Sequence, residues 1–182
     1  MPALPADLPH GVAVPRGPAF GDHGVLVFAA EFDFGASHEV ALPLRVTGTA
    51  AISPSLEAFV LPHLSIGAAF GVVVESSVGA HAFGYGGWPR VGYAFPISRD
   101  LVFWPRVGVE LSSKSTTFGA TTTHTESADL ALYAPLALLP LAHIEIGFGP
   151  TFTADLVRRQ SGGGDAARGT TLGLAIEIGG WL

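Results

Sequence analysis

From Gly24 onward, large apolar residues recur at every second position. A period of two marks extended strands, whose neighbouring side chains point to opposite faces. Leu26, Phe28, Ala30, Phe32 and Phe34 alternate with Val27, Ala29, Glu31 and Asp33, which predicts a first strand over 26–34. The same pattern predicts strands over 49–61 and 64–74, separated by a tight Pro62-His63 turn. The pentapeptide Trp-Pro-Arg-Val-Gly then occurs twice, at 88–92 and 104–108, with the turn-like Pro96-Ile97-Ser98-Arg99-Asp100 between the copies. The copies read as two arms of one hairpin. Pro89, Val91, Tyr93 and Phe95 share one face of the first arm, with Trp88, Arg90 and Gly92 opposite. In the second, Phe103, Pro105, Val107, Val109 and Leu111 are apolar, while Arg106, Gly108, Glu110 and Ser112 share the other face. Three more strands are predicted over 128–138, 144–153 and 171–182.

These eight strands are joined by connections of alternating length. Short turns fall near Pro62, Ser98 and Pro140, and longer polar stretches over 35–48, 76–84, 113–127 and 156–169. Both termini then lie at the short-turn end. Residues 1–23 are rich in proline and glycine and carry no period, so they read as a tail, leaving 24–182 as one domain. Pro54, Pro89, Pro105, Pro135 and Pro150 fall inside the strands. A closed sheet has no edge on which a missing N–H is harmless, so each is expected at a bulge or a strand end.

Composition decides which face looks inward. The 182 residues are 48% hydrophobic and only 13% charged, whereas a soluble surface carries roughly 25–35% charged residues. No uninterrupted apolar run approaches the ~20 residues of a spanning helix. The polar face of each strand is mostly Gly, Ala and Ser with a sparse carboxylate or arginine, and small residues suit the narrow lumen of an eight-stranded barrel. The expected fold is therefore all-β: an eight-stranded antiparallel up-and-down transmembrane β-barrel, apolar outside and filled by side chains inside. The net charge of −6 with scattered arginines argues against a nucleic-acid partner. The absence of cysteine excludes disulfides and thiolate chemistry, and the seven histidines lack metal-ligand spacing. No cofactor or metal is expected. The N-terminal segment lacks the basic and apolar regions of an export signal, so an exported form is expected to have lost its signal peptide, with Met1 a replacement start.

Strand count, loop alternation, the Pro-Arg-Val-Gly-Tyr segment at 89–93 and the C-terminal Leu172-Gly173-Leu174-Ala175-Ile176-Glu177-Ile178-Gly179-Gly180-Trp181-Leu182 together resemble the small eight-stranded outer-membrane barrels of the OmpA/OmpX type. The resemblance spans 24–182. In such families the last strand ends in an aromatic residue, usually Phe, whereas here Trp181 precedes a final Leu182. The resemblance implies a monomer in the bacterial outer membrane, ringed by outer-membrane lipid or lipopolysaccharide. It also implies a non-enzymatic role as structural anchor or surface-interaction protein, its extracellular loops meeting an unidentified partner.

Glu57, Arg90, Arg106 and Glu177 lie five to seven residues from the short turns, and Glu31 is similarly placed. At about 3.3 Å per residue this is near the middle of a hydrocarbon layer. All five point to the lumen. A hairpin centred near Ser98 makes Arg90 and Arg106 neighbours across the ladder, where like charges repel, so carboxylates must neutralise them. The expectation is an ionic network of Glu31, Glu57, Arg90, Arg106 and Glu177 that fills the lumen, rather than a gate or proton path. Trp88, Trp104, Trp181, Tyr85 and Tyr93 are explained by aromatic girdles and lumen packing. Two alternatives stand beside the anchor. Lipid A deacylases are eight-stranded barrels using Ser and His on the lipid-facing wall, and His124 with Glu126, Ser127, Ser112 and Ser113 offers the residue types without a spacing that compels a triad. The other is a soluble lipocalin-like barrel carrying a lipophilic ligand.

Overall fold

The computed structural model describes residues 18–39, 48–77, 79–161, 164–165 and 169–182, and every regular element among them is a strand. In chain order these are β1 (Leu26–Glu39), β2 (Gly48–Leu61), β3 (Leu64–Ser77), β4 (Ala80–Tyr93), β5 (Phe95–Ser98), β6 (Leu101–Phe103), β7 (Arg106–Phe118), β8 (Thr121–Tyr133), β9 (Leu136–Leu141), β10 (Ile144–Gln160), β11 (Gly164–Asp165) and β12 (Gly169–Trp181). Three pairs are single staves with a short break: β4 with β5 at Ala94, β6 with β7 at Trp104-Pro105, and β8 with β9 at Ala134-Pro135. So counted, eight antiparallel staves close into a ring, because β12 pairs with both β10 and β1. The barrel predicted from the alternation is the fold observed.

The pleat sorts the side chains as the period of two requires. Phe28, Leu56, Phe70, Val91, Leu111, Phe148 and Ile178 are among many large apolar residues exposed on the outer wall. Buried charges lie inside, including Glu31, Glu57, Arg90, Arg106, Glu145 and Glu177. Tyr93, Phe95 and Phe103 form an aromatic patch at the short-turn end, with centroids of 4.7 Å between the first two and 6.1 Å between the last two.

The connections depart from expectation. The stretch 76–84 is mostly strand, since β3 runs to Ser77 and β4 starts at Ala80. The stretch 113–127 is a continuous hairpin turning only at Gly119-Ala120. Serine and threonine occupy both faces there, so no amphipathic alternation announces a strand. Threonine nevertheless favours extended backbone, and hydroxyl pairs tie the arms: Ser112 Oγ to Ser127 Oγ at 2.8 Å and Thr117 Oγ1 to Thr122 Oγ1 at 3.2 Å. Of 156–169, β10 takes the first residues through Gln160. Much of 35–48 lies outside the described residues.

The prolines also need a correction. Pro105 and Pro135 sit at strand breaks, as expected. Pro54, Pro89 and Pro150 stay inside β2, β4 and β10 with the register unshifted, each paired on one side, to Ala30, Ala68 and Leu174. On the other side the ladder skips that step, for example between Ile52↔Val72 and Ser55↔Ala69. A missing N–H removes a bond on one side only, so a local gap suffices where a bulge was expected.

Residues 18–23, the end of the stretch that reads as a tail, fold into the short-turn mouth. Asp22 closes a turn by accepting the Ala19 N–H at 2.8 Å through Oδ2. Gly21, at φ 93°, accepts the His63 N–H at 2.7 Å.

Candidate functional site

The lumen holds three successive levels, and the lowest is an aromatic cap. Phe20 enters from the N-terminal segment and meets Phe59 of β2, Trp104 and Trp181 of β12 edge-on, with centroids 5.3, 5.0 and 5.3 Å away. Phe59 and Trp104 stack at 5.5 Å. Val25, Val27, Val102 and Ala137 complete the cluster, so this mouth is closed by apolar contact.

Above it lies a buried ionic level, where the structure brings together all five residues of the expected network. Glu57 Oε1 accepts from Arg90 Nε at 2.7 Å and from Arg106 Nη1 at 3.1 Å. Glu31 pairs with Arg90 Nη2 and lies 3.7 Å from Arg106 Nη1, while Arg106 Nη2 donates to Glu177. Both guanidiniums lie against aromatic faces, Arg90 at 4.5 Å from the Trp88 ring and Arg106 at 4.2 and 4.6 Å from Trp104 and Tyr133. Ser65 extends the network downward, donating to Glu57 Oε2 at 2.8 Å and accepting from Trp104 Nε1 at 3.2 Å. Burying such charges unpaired costs several kcal/mol each; here each arginine bridges at least two carboxylates.

The register revises the geometry of the two arginines. They are diagonal, not opposite: Arg90 faces Gly108 and Arg106 faces Gly92. The two glycines of the repeated pentapeptide make room for the arginines. A Cβ on Gly92 would lie 2.7 Å from Arg106 Cγ and 2.9 Å from Trp104 Nε1, and one on Gly108 would strike the Pro89 carbonyl. Glu145 is a fully buried member of this level that the expected network omits. It faces Gly179, two steps along the ladder from the Gly147↔Glu177 pair. Its alternation with Gly147 and Gly149 is the signal that could have found it.

The third level is a cavity of about 230 Å³ between the ionic level and the far end of the barrel. Glu110, Asp129 and Asp155 stand abreast on β7, β8 and β10, paired Glu110↔Asp129↔Asp155. Asp33 lines the same space from β1, and Ala51, Ser53, Ala69, Val73 and Glu75 line it from β2 and β3. Ser127 donates to Asp129 Oδ2 at 2.8 Å, Arg158 pairs with Asp155 at 3.2 Å, and Lys114 pairs with Glu75 at 3.0 Å. Among the described residues, no group of three or more His, Cys, Asp or Glu is arranged to hold a metal ion.

The hydrolase candidates divide between the two faces. Ser127 and Ser112 face the lumen level just described, whereas Ser113, Glu126 and His124 lie on the outer wall, with His124 Nδ1 2.8 Å from Ser115 Oγ. The His124 backbone N–H donates to Ser161 Oγ at 3.0 Å. Among the described residues no carboxylate is hydrogen-bonded to the His124 ring. His63 and His143 occupy equivalent short turns in the left-handed region, at φ 68° and 65°. Trp88, Trp104 and Trp181 all lie on the lumen side, while Tyr85 and Tyr93 are exposed on the outer wall.

No protein-family model matches the chain, and no curated protein sequence does. Its backbone is similar to several solved structures. Neisserial surface protein A superposes with a TM-score of 0.62 at 10% identity, over 86% of this chain and 99% of that one. Ail, the attachment invasion locus protein of Yersinia pestis, gives 0.58 at 12% identity over 87% and 98%. The N-terminal β-barrel domain of Pseudomonas aeruginosa OprF gives 0.56 at 10% identity over 86% and 98%. The shared feature is the fold, that of the small eight-stranded outer-membrane barrels.

Proposed function

We propose that the chain is an integral outer-membrane barrel that acts as a structural anchor and presents its far-end hairpins to a surface partner. The observation that carries this reading is the inversion of polarity: large apolar side chains cover the exposed wall while charged ones are buried inside. Such a wall is incompatible with water over so wide an area and matches a hydrocarbon layer. Two closed levels, the aromatic cap and the ionic network, leave no continuous path for solute and support a non-conducting role. Outer-membrane lipid or lipopolysaccharide would surround the wall, and a monomer needs no further partner to complete the ring. The test is refolding into detergent micelles, where unboiled and boiled samples are expected to migrate differently on a gel. Folded, monodisperse protein in buffer without detergent would overturn the membrane reading. Protease added to intact cells is expected to cut within 113–127 or 156–169; complete protection would overturn the outward presentation.

One contact favours a second reading as a lipid-modifying enzyme. The Ser115–His124 pair lies on the outer wall, on the same faces as Leu111 and Leu130, where a lipid ester would be within reach. Among the described residues no carboxylate is hydrogen-bonded to the imidazole to orient it, and a cross-strand hydroxyl–imidazole pair is also ordinary sheet chemistry. Replacing His124 with Ala is expected to leave lipid A composition unchanged; a change would promote the enzyme reading.

A further inference from the structure

Residues 18–23 lie across the short-turn mouth but outside the bonds that close the ring. Those bonds begin at Gly24, whose N–H donates to the Phe59 carbonyl at 2.8 Å. Leu26 and Leu182 then exchange two backbone bonds, at 3.1 and 2.9 Å, which join β1 to the end of the chain. Before Gly24 the chain bonds mainly to itself. Asp22 accepts the Ala19 N–H through Oδ2, and its own N–H donates to the Ala19 carbonyl at 3.0 Å. Among the described residues, one backbone bond ties 18–23 to a distant part of the wall, from the His63 N–H to the Gly21 carbonyl. The other tie is the Phe20 side chain, which is 8% exposed while Pro18, Ala19, Asp22 and His23 around it face solvent. Gly24 has a φ of 88°, in the region that favours glycine. A Cβ there would meet nothing within 4 Å, so no packing fixes that conformation and the backbone is free to turn at this point.

We propose that residues 18–23 are a lid on the lumen, hinged at Gly24 and held shut by Phe20, that opens while the barrel stays intact. Three edge-on contacts with Phe59, Trp104 and Trp181 hold the closed position. A single backbone bond to the wall and a glycine hinge make release a local event, since no rung of the ring has to break. Beneath the lid, Phe59, Trp104, Trp181, Val102 and Ala137 form an apolar cup. From that cup a hydrogen-bonded chain runs from Trp104 Nε1 through Ser65 to Glu57 of the ionic level. An open lid therefore brings water to the edge of the ionic plug, which still closes the lumen. The lid depends on the mouth alone, so its failure leaves the anchor role intact.

The chain contains no cysteine, so one introduced thiol reports on its own position. Ala137→Cys places it in the cup, where the native residue is 1% exposed; Val102→Cys serves if that variant does not fold. Thr153→Cys places it in the far cavity as a control. Each full-length chain is refolded in zwitterionic micelles and timed with a small charged methanethiosulfonate. With Phe20 in place, labelling at 137 is expected to be much slower than in urea, yet to reach completion while heat-modifiable gel migration is kept. Adding Phe20→Ala is expected to speed it about ten-fold or more, and Phe20→Leu by less, with folded migration kept and the rate at 153 unchanged. No labelling of the folded chain at 137, or labelling there as fast as in urea, would overturn the proposal. So would an unaltered rate in Phe20→Ala, an equal acceleration at 153, or loss of folded migration in that variant.

Discussion

The two charged levels of the lumen meet on β1 and β7, where Glu31 precedes Asp33 and Arg106 precedes Glu110, and differ in how their carboxylates are matched. In the ionic level, Glu31, Glu57 and Glu177 converge on two guanidiniums, each laid against aromatic rings. In the level above, Glu110, Asp129 and Asp155 stand side by side, with Arg158 paired to the last and a serine hydroxyl donated to the second. The planar fork of arginine can bridge several carboxylates at once, which makes the lower level a buried plug. The upper level has the same sign of charge without such a bridge, and it encloses space instead of filling it. An acidic lumen thus holds two different arrangements, one that fills its space and one that encloses a cavity.

The largest blow to this contrast comes from removing a bridge. Arg106→Ala leaves Glu177 in a buried site without its guanidinium and removes one of the two that Glu57 shares, and is expected to cost about 3–5 kcal/mol, read as a lower urea midpoint for the barrel in lipid vesicles. A loss under about 1 kcal/mol would mean that the level is solvated. Gly92→Val pushes a side chain into Arg106, Ser65 and Trp104; overpacking of this kind is expected to cost about 1–3 kcal/mol, again by urea titration. In the upper level the sign reverses. Glu110→Gln relieves like-charge repulsion with Asp129 and is expected to stabilise the barrel by about 0.2–1 kcal/mol; destabilisation would show that Glu110 has a partner that the contrast denies it. Smallest of all, Lys114→Ala removes a part-exposed pair with Glu75, and a change below about 1 kcal/mol is expected.

Much of this is legible in the chain. The period of two assigns Leu26, Val91, Leu132 and Ile176 to one wall and Glu31, Arg90, Tyr133 and Glu177 to the other, because strand geometry forces alternation whatever the distant parts of the chain do. Depth and sign of charge alone pick out the five network residues. Glu145 escapes such a count although its parity is right, since nothing in a linear sequence brings its side chain near Glu177. The hairpin of β7 and β8 reads as a loop because Ser and Thr on both faces erase the amphipathic signal while leaving strand propensity intact. Pro54, Pro89 and Pro150 mislead in a related way: a strand in a closed ring pairs on two sides, and only one of them loses a bond.

The sequence by itself determined the all-β class, the apolar outer wall and the charged interior, since each arises from local alternation and composition. Tertiary structure alone decided the rest. Ring closure between β1 and β12 set which charges face one another across the lumen, and the register of β4 against β7 placed glycines opposite both arginines. The fold also brought Phe20 from a featureless segment into contact with Phe59, Trp104 and Trp181. These are contacts between residues distant in sequence, fixed by register and closure, and no periodicity along one strand encodes them.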